Sequence, residues 1–169
     1  MSSGRRPGRR LSWLRGQLRK LETICGALRA NAKKVRQGIA DLPGLKLRKS
    51  GDIEGDLGMR IFLDLGNPKR RDYFLRAMRA EGVSAAGPSG CVILPTDARV
   101  RSKATLHPDW PSFNSPQGKA IRYGAESCPR TIDMLSRHGG VTIGPKYTEQ
   151  DVADLIEAVR KVYLAMGRP

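Results

Sequence analysis

Two short stretches of this chain hold residue types that could face a ligand. His107-Pro-Asp-Trp110-Pro-Ser-Phe113 sets an imidazole, an indole and a hydroxyl in a proline-stiffened, irregular loop. Loops of that kind often form the wall of a ligand site. The competing reading is that Trp110 and Phe113 pin a long loop to the core. Arg122-Tyr123 follow shortly and are candidates for the same wall. Cys128 precedes a helix start, a position that can activate a thiol. With no base assigned nearby, a structural cysteine is the simpler reading.

Other chemistries find no support. Neither GxxxxGK[ST], GxGxxG nor Gly-x-Ser-x-Gly occurs, so the familiar phosphate loops and the hydrolase elbow are missing. Asp52, Glu54 and Asp56 cluster in a glycine-bearing loop, yet their spacing and the missing downstream Glu do not make a calcium loop. They read as a solvated hairpin. With no CxxC pair and only His107 and His138 as histidines, a structural zinc site is not expected. Cys25, Cys91 and Cys128 are odd in number and widely separated, which suits a reducing cytoplasm rather than a disulfide framework.

The chain of 169 residues is one ordinary domain, able to bury roughly 70% of its unfolded surface. Aromatics make up 5%, so aliphatic residues must carry the core. No run of about 18 apolar residues exists, so no membrane helix is expected. The net charge of +15 is unevenly placed. Residues 1–36 hold eleven Lys or Arg against the single acid Glu22, which leaves +5 for the rest. A basic N-terminal tail with no interleaved aromatic surface argues against nucleic acid as a partner.

Periodicity supplies the frame. Residues 1–10 read as a disordered basic tail. Leu11, Leu14, Leu18, Leu21, Cys25, Leu28, Ala32, Val35, Ile39 and Leu42 recur at spacings of three and four, a helix over 11–42 of about 48 Å stopped by Pro43-Gly44. A coiled coil or a helix crossing two domains or subunits both fit that stripe. Residues 45–49 and 59–65 alternate as strands. Asn67-Pro68 opens a helix to about residue 81, with Tyr73, Phe74, Ala77 and Met78 on one face. Val83-Ser84-Ala85 is a short strand, and within 86–127 only residues 91–94 look strand-like. Pro129 opens a helix to about Arg137 with Ile132 and Leu135 inward. VTIGP at 141–145 is a strand, and Thr148 with Asp151 caps a closing amphipathic helix. The expected fold class is α+β: a long N-terminal helix, then a small, mainly antiparallel sheet covered by helices over 43–169.

The phrases Gln17-Leu18, Arg29-Ala30-Asn31, FLRAMRAEGVSA (74–85), CPRT (128–131) and YTEQDV (147–152) carry a resemblance over about 12–165. In their order and spacing they resemble the C-terminal, small domain of the DegT/DnrJ/EryC1/StrS family of sugar aminotransferases. That resemblance implies the small domain of a fold-type I aminotransferase. It implies pyridoxal phosphate as cofactor in the full-length family and a keto sugar on a nucleotide as substrate. It implies that the small domain helps wall the sugar side of the site, so the wall candidates read above from residue type, His107, Trp110, Arg122 and Tyr123, are expected to be substrate-binding. In the family the Schiff-base lysine, phosphate cup and pyridine carboxylate lie in the large domain before the long helix. This chain begins where that domain should end, and none of its ten lysines has a matching context. It is therefore expected to hold no cofactor and to be inactive alone, as a small-domain fragment or remnant. The alternative is a non-catalytic module that docks on a full-length relative, or on a second copy, through helix 11–42.

Overall fold

The computed structural model describes residues 14–88, 93–107 and 111–167, with the side chains of 111–112 set aside. A helical turn at 14–18 leads into α1 (Leu21–Gly38). Strands β1 (Lys46–Leu47) and β2 (Arg60–Asp64) follow, then helix α2 (Pro68–Ala80) and strand β3 (Ala85–Ala86). Short helices α3 (Ala98–Arg101), α4 (Pro111–Asn114) and α5 (Pro116–Ala120) occupy the irregular stretch. Helix α6 (Pro129–Arg137) runs directly into β4 (His138–Thr142), and α7 (Glu149–Ala165) closes the chain.

The sheet is four-stranded and antiparallel throughout, in the order β1-β2-β4-β3. The last strand is thus inserted between the second and the third. β4 pairs with β2 from Arg60 opposite Thr142 to Asp64 opposite His138. Ile61, Leu63 and Leu65 alternate inward and are buried, as a strand with one covered face requires. Helix α7 lies between α1 and α2 and packs on both, while α2 also meets α6 and β4. Phe74, Met78, Val35, Ile39, Val141 and Val159 make the fully buried centre. Burying side chains of that size contributes roughly 1.5–3 kcal/mol each.

The helix ends are written in the sequence. Asn67 Oδ1 accepts from Arg70 N at 3.0 Å ahead of Pro68, which has no amide to leave unpaired. Thr148 Oγ1 accepts from Asp151 N at 3.2 Å, and Asp151 Oδ2 accepts from Thr148 N at 2.7 Å, a reciprocal capping box.

Four expectations need correction. The helix expected over 11–42 ends at Gly38, and Ile39 to Leu42 continue its buried stripe through turns. It is also tightened near residue 20, where Lys20 N bonds Gln17 O, three residues back. On α2, Tyr73 faces solvent at 44% exposure, and Leu75 takes the inward place instead. The strand placed at 141–145 begins at His138, because Gly139 and Gly140 belong to it. Glycine is a poor strand former, which hid this start. Packing demands it, since a Cβ at Gly139 would stand 2.9 Å from Leu65 Cδ1 and one at Gly140 2.6 Å from Phe62 Cδ1. Finally, the strand-like reading of 91–94 falls partly outside the described residues, and Leu94–Thr96 form a 3-10 turn. The expected basic tail 1–10 and residues 11–13 of the expected helix likewise lie outside the described residues.

Candidate functional site

The stretch 93–127 has no long element, so local caps give it shape. Asp97 Oδ1 accepts from Arg99 N at 2.9 Å and starts α3. Ser115 Oγ accepts from Gly118 N at 3.0 Å and starts α5. Lys103 then joins the two pieces. Its backbone is left-handed at φ 54°, a conformation that non-glycine residues seldom adopt. Its Nζ donates to Gly118 O at 2.8 Å and to Lys119 O at 2.7 Å, satisfying carbonyls at the C-terminal end of α5.

Between α3 and the segment 119–126 lies an open groove of about 600 Å³, lined by Arg101, Ser102, Lys103, Lys119, Ile121, Arg122, Tyr123 and Glu126 among others. Arg101, Lys119 and Arg122 are exposed there, while the half-buried Lys103 ammonium is held by carbonyls. Three exposed cations face one acid, Glu126. Tyr123 is half-buried and meets Phe113 edge-on, with ring centroids 6.1 Å apart and planes at 79°. Such a groove suits a flat group beside a phosphate: guanidinium and ammonium donors for the anion, a phenol edge for the rest.

The structure therefore puts Arg122 and Tyr123 on one wall. Phe113, from the same sequence cluster as His107, meets that wall through Tyr123. His107 itself is exposed, its carbonyl accepting from Thr105 Oγ1 at 2.8 Å, and it does not line the groove. Trp110 lies outside the described residues. Arg101, Lys103 and Lys119 were not singled out by sequence. Nothing in residue order signals a lysine that bonds carbonyls fifteen and sixteen residues away.

Asp56 accepts from Arg36 Nη2 at 3.0 Å and from Gly58 N at 3.0 Å, so the acidic loop is tied to α1 by one of its three carboxylates. Among the described residues no group of His, Cys, Asp and Glu is placed to hold a metal. Cys128 is the half-buried N-cap of α6 with no capping bond from its side chain. Among the described residues no helix is long and apolar enough to cross a membrane.

No known protein-family model matches the chain. Its fold is nevertheless similar to solved structures. It aligns with DesV of S. venezuelae, solved in complex with a ketimine intermediate, at a TM-score of 0.61 and 20% identity. That alignment covers 92% of this chain and 35% of DesV. It also aligns with the aminotransferase TlmJ from Streptoalloteichus hindustanus, at a TM-score of 0.56 and 15% identity, covering 89% of this chain and 34% of that one. The chain thus has an aminotransferase-like α+β fold and spans about a third of the length of the chains it matches.

Proposed function

We propose that this chain is the small-domain portion of a pyridoxal-phosphate-dependent aminotransferase of the DegT/DnrJ/EryC1/StrS kind, acting on a keto sugar carried by a nucleotide. The observation that supports it most is the alignment of nearly the whole chain on one third of an aminotransferase chain. The sequence phrases at 17–31, 74–85, 128–131 and 147–152 support the same reading independently. In such an enzyme pyridoxal phosphate supplies the carbonyl that carries the amino group between substrates.

The residues of this chain do not fit that cofactor. A Schiff-base lysine must be an uncharged amine, which calls for a sheltered site. Nine of the ten lysines are exposed, and the tenth, Lys103, already donates to two carbonyls. No catalytic step is therefore assigned to this chain. Its part is on the substrate side: Arg101, Lys119 and Arg122 hold the phosphates of a nucleotide sugar, and Tyr123 borders the remainder. Cation pairs of this type discriminate by charge and favour Arg for its two parallel donors.

The experiment is a titration of the isotope-labelled chain with a nucleoside-diphosphate sugar, followed by amide chemical shifts. Saturable shifts confined to residues 98–103 and 118–126 are expected, with inorganic phosphate alone binding more weakly. Shifts spread evenly over all basic surfaces, or none at millimolar ligand, would reject the groove as a substrate wall.

A further inference from the structure

A pocket of about 310 Å³ lies between α1 and the loop that joins β1 to β2. The helix contributes Arg29, Lys33 and Arg36, whose spacings of four and three set them along one side of it. The loop contributes Ile53, Glu54 and Asp56 and is shaped by its own bonds. Gly55 N donates to Asp52 Oδ1 at 2.9 Å, and Asp56 N donates to Asp52 O at 3.1 Å. Asp56 in turn pairs with Arg36 Nη2 at 3.0 Å, which ties loop to helix. The other charges on the lining do not meet. Arg29 and Lys33 stand on the helix and Glu54 on the loop, yet among the described residues no ion pair or side-chain hydrogen bond engages any of the three. Arg29 and Lys33 are like charges one turn apart, with Cβ atoms about 6 Å from each other, an arrangement mildly destabilising until an anion neutralises it.

We propose that this pocket binds a free aliphatic α-amino acid, its carboxylate on Arg29 and Lys33, its ammonium on Glu54 and its side chain on Ile53 and Ala30. Opposite charges that line one pocket without reaching each other call for a ligand that carries both signs. A plain carboxylate satisfies the helix side but meets repulsion from Glu54, and a plain amine meets the converse. A nucleotide brings several negative charges toward Glu54, and no aromatic ring among the described residues lines the pocket to stack its base. The Arg29 guanidinium suits a carboxylate, which it can take with two parallel donors. Ile53 is 59% exposed, and an aliphatic chain laid on it removes apolar surface from water. The volume is at the small end of ligand sites, the size for one amino acid rather than a peptide. These residues are separate from the groove at 98–126, and none of this rests on the aminotransferase reading.

Titration of the isotope-labelled full chain with L-leucine, followed by amide chemical shifts, tests it. Saturable shifts at residues 29–37 and 52–57 are expected, with half-saturation at about 1 mM. Isocaproate lacks the ammonium and isoamylamine lacks the carboxylate, so each should bind about tenfold more weakly. Glu54→Gln should weaken L-leucine about tenfold and bring it level with isocaproate. Arg29→Gln combined with Lys33→Gln should bring it level with isoamylamine. All three side chains are exposed, so the melting curves of these variants should match that of the wild type. The absence of saturable shifts at these residues in about 50 mM L-leucine overturns the proposal. Isocaproate binding as tightly as L-leucine overturns it too, since that marks a plain anion site. So does a Glu54→Gln chain that binds L-leucine as the wild type does.

Discussion

The Arg160 guanidinium grips the Asp41 carboxylate from across the domain, with Nη2 to Oδ2 at 2.9 Å, and its Nη1 also donates to Gly38 O at 2.8 Å. One side chain on α7 thereby closes the end of α1 and the turn after it. The hydrogen bond from Arg160 is the main cause that lowers the Asp41 pKa below the usual carboxylate value. A carboxyl depressed in the folded state stabilises the fold above its unfolded pKa, about 3.9, and that contribution disappears as pH falls through the folded value. Asp151, held by the backbone and side chain of Thr148, works in the same direction. Asp41→Asn should therefore flatten the loss of stability as pH falls below about 4 while mildly lowering stability at neutral pH. Urea midpoints measured at several pH values check this, and an unchanged acid limb would contradict it. Because both carboxyls are exposed, the effect should shrink in high salt.

How much of this was legible depended on whether the signal was local. Pro68 after Asn67, Pro129 after Cys128, and Thr148 with Asp151 all announce helix starts by chemistry within one turn, and all three starts are found there. The inward alternation of Ile61, Leu63 and Leu65 was equally plain. What failed was set by distant neighbours. Gly139 and Gly140 are strand residues because Leu65, Phe74 and Phe62 fill the space a Cβ would need. Tyr73 and Leu75 both suit an amphipathic helix, and only the position of β4 decides which one is buried. In the groove, Arg122 and Tyr123 were readable as a polar-aromatic pair, whereas Lys103 depends on a backbone turn that no residue type announces.

Those glycines divide sharply by surroundings, and substitution should show it. Gly140→Ala sets a methyl group 2.6 Å and 2.7 Å from the Phe62 ring atoms, with Ile61 O at 3.4 Å behind. The ring must turn away, so a loss of about 1–3 kcal/mol is expected. Gly26→Ala meets nothing within 4 Å in the middle of α1 and should stabilise by about 0.5–1 kcal/mol. Thermal or urea unfolding of the two variants should give opposite signs. Equal signs would mean that the Phe62 contact is not restraining β4.

Removal of one cap gives a calibrated local test. Thr148→Ala deletes the acceptor for Asp151 N and a partner of the Asp151 carboxylate at the head of α7. A loss of about 1 kcal/mol is expected. Because α7 packs on both α1 and α2, the loss should appear in the global unfolding transition rather than as local fraying. Hydrogen exchange separates these outcomes: protection should fall across all three helices together.

The lysine environments predict the chain's behaviour toward pyridoxal phosphate. Exposed ammonium groups react slowly and without preference, so borohydride reduction should leave scattered, substoichiometric label. Peptide mapping by mass spectrometry reads this directly. A stoichiometric adduct at one lysine would show a sheltered amine that the structure does not contain.

The last expectation concerns Lys103, which touches the groove through its scaffold. Its Nζ holds the carbonyls of Gly118 and Lys119, and these fix where Lys119 and Arg122 begin to project. Lys103→Met keeps the stem and removes the ammonium, leaving those carbonyls to solvent at a half-buried site. Lys103→Gly relieves the left-handed backbone at φ 54° but also loses the head group. If the head group positions the groove, both variants should bind a nucleoside-diphosphate sugar several-fold more weakly. Their melting transitions should differ, the glycine variant gaining from relieved backbone strain what the methionine variant cannot. If only charge mattered, Lys103→Arg would preserve binding fully. An arginine has a wider, forked head that does not match two adjacent carbonyls taken by one ammonium, so it should rescue binding only in part. Affinities from calorimetry on the three variants, read beside their melting curves, distinguish a positioning lysine from a bulk electrostatic one.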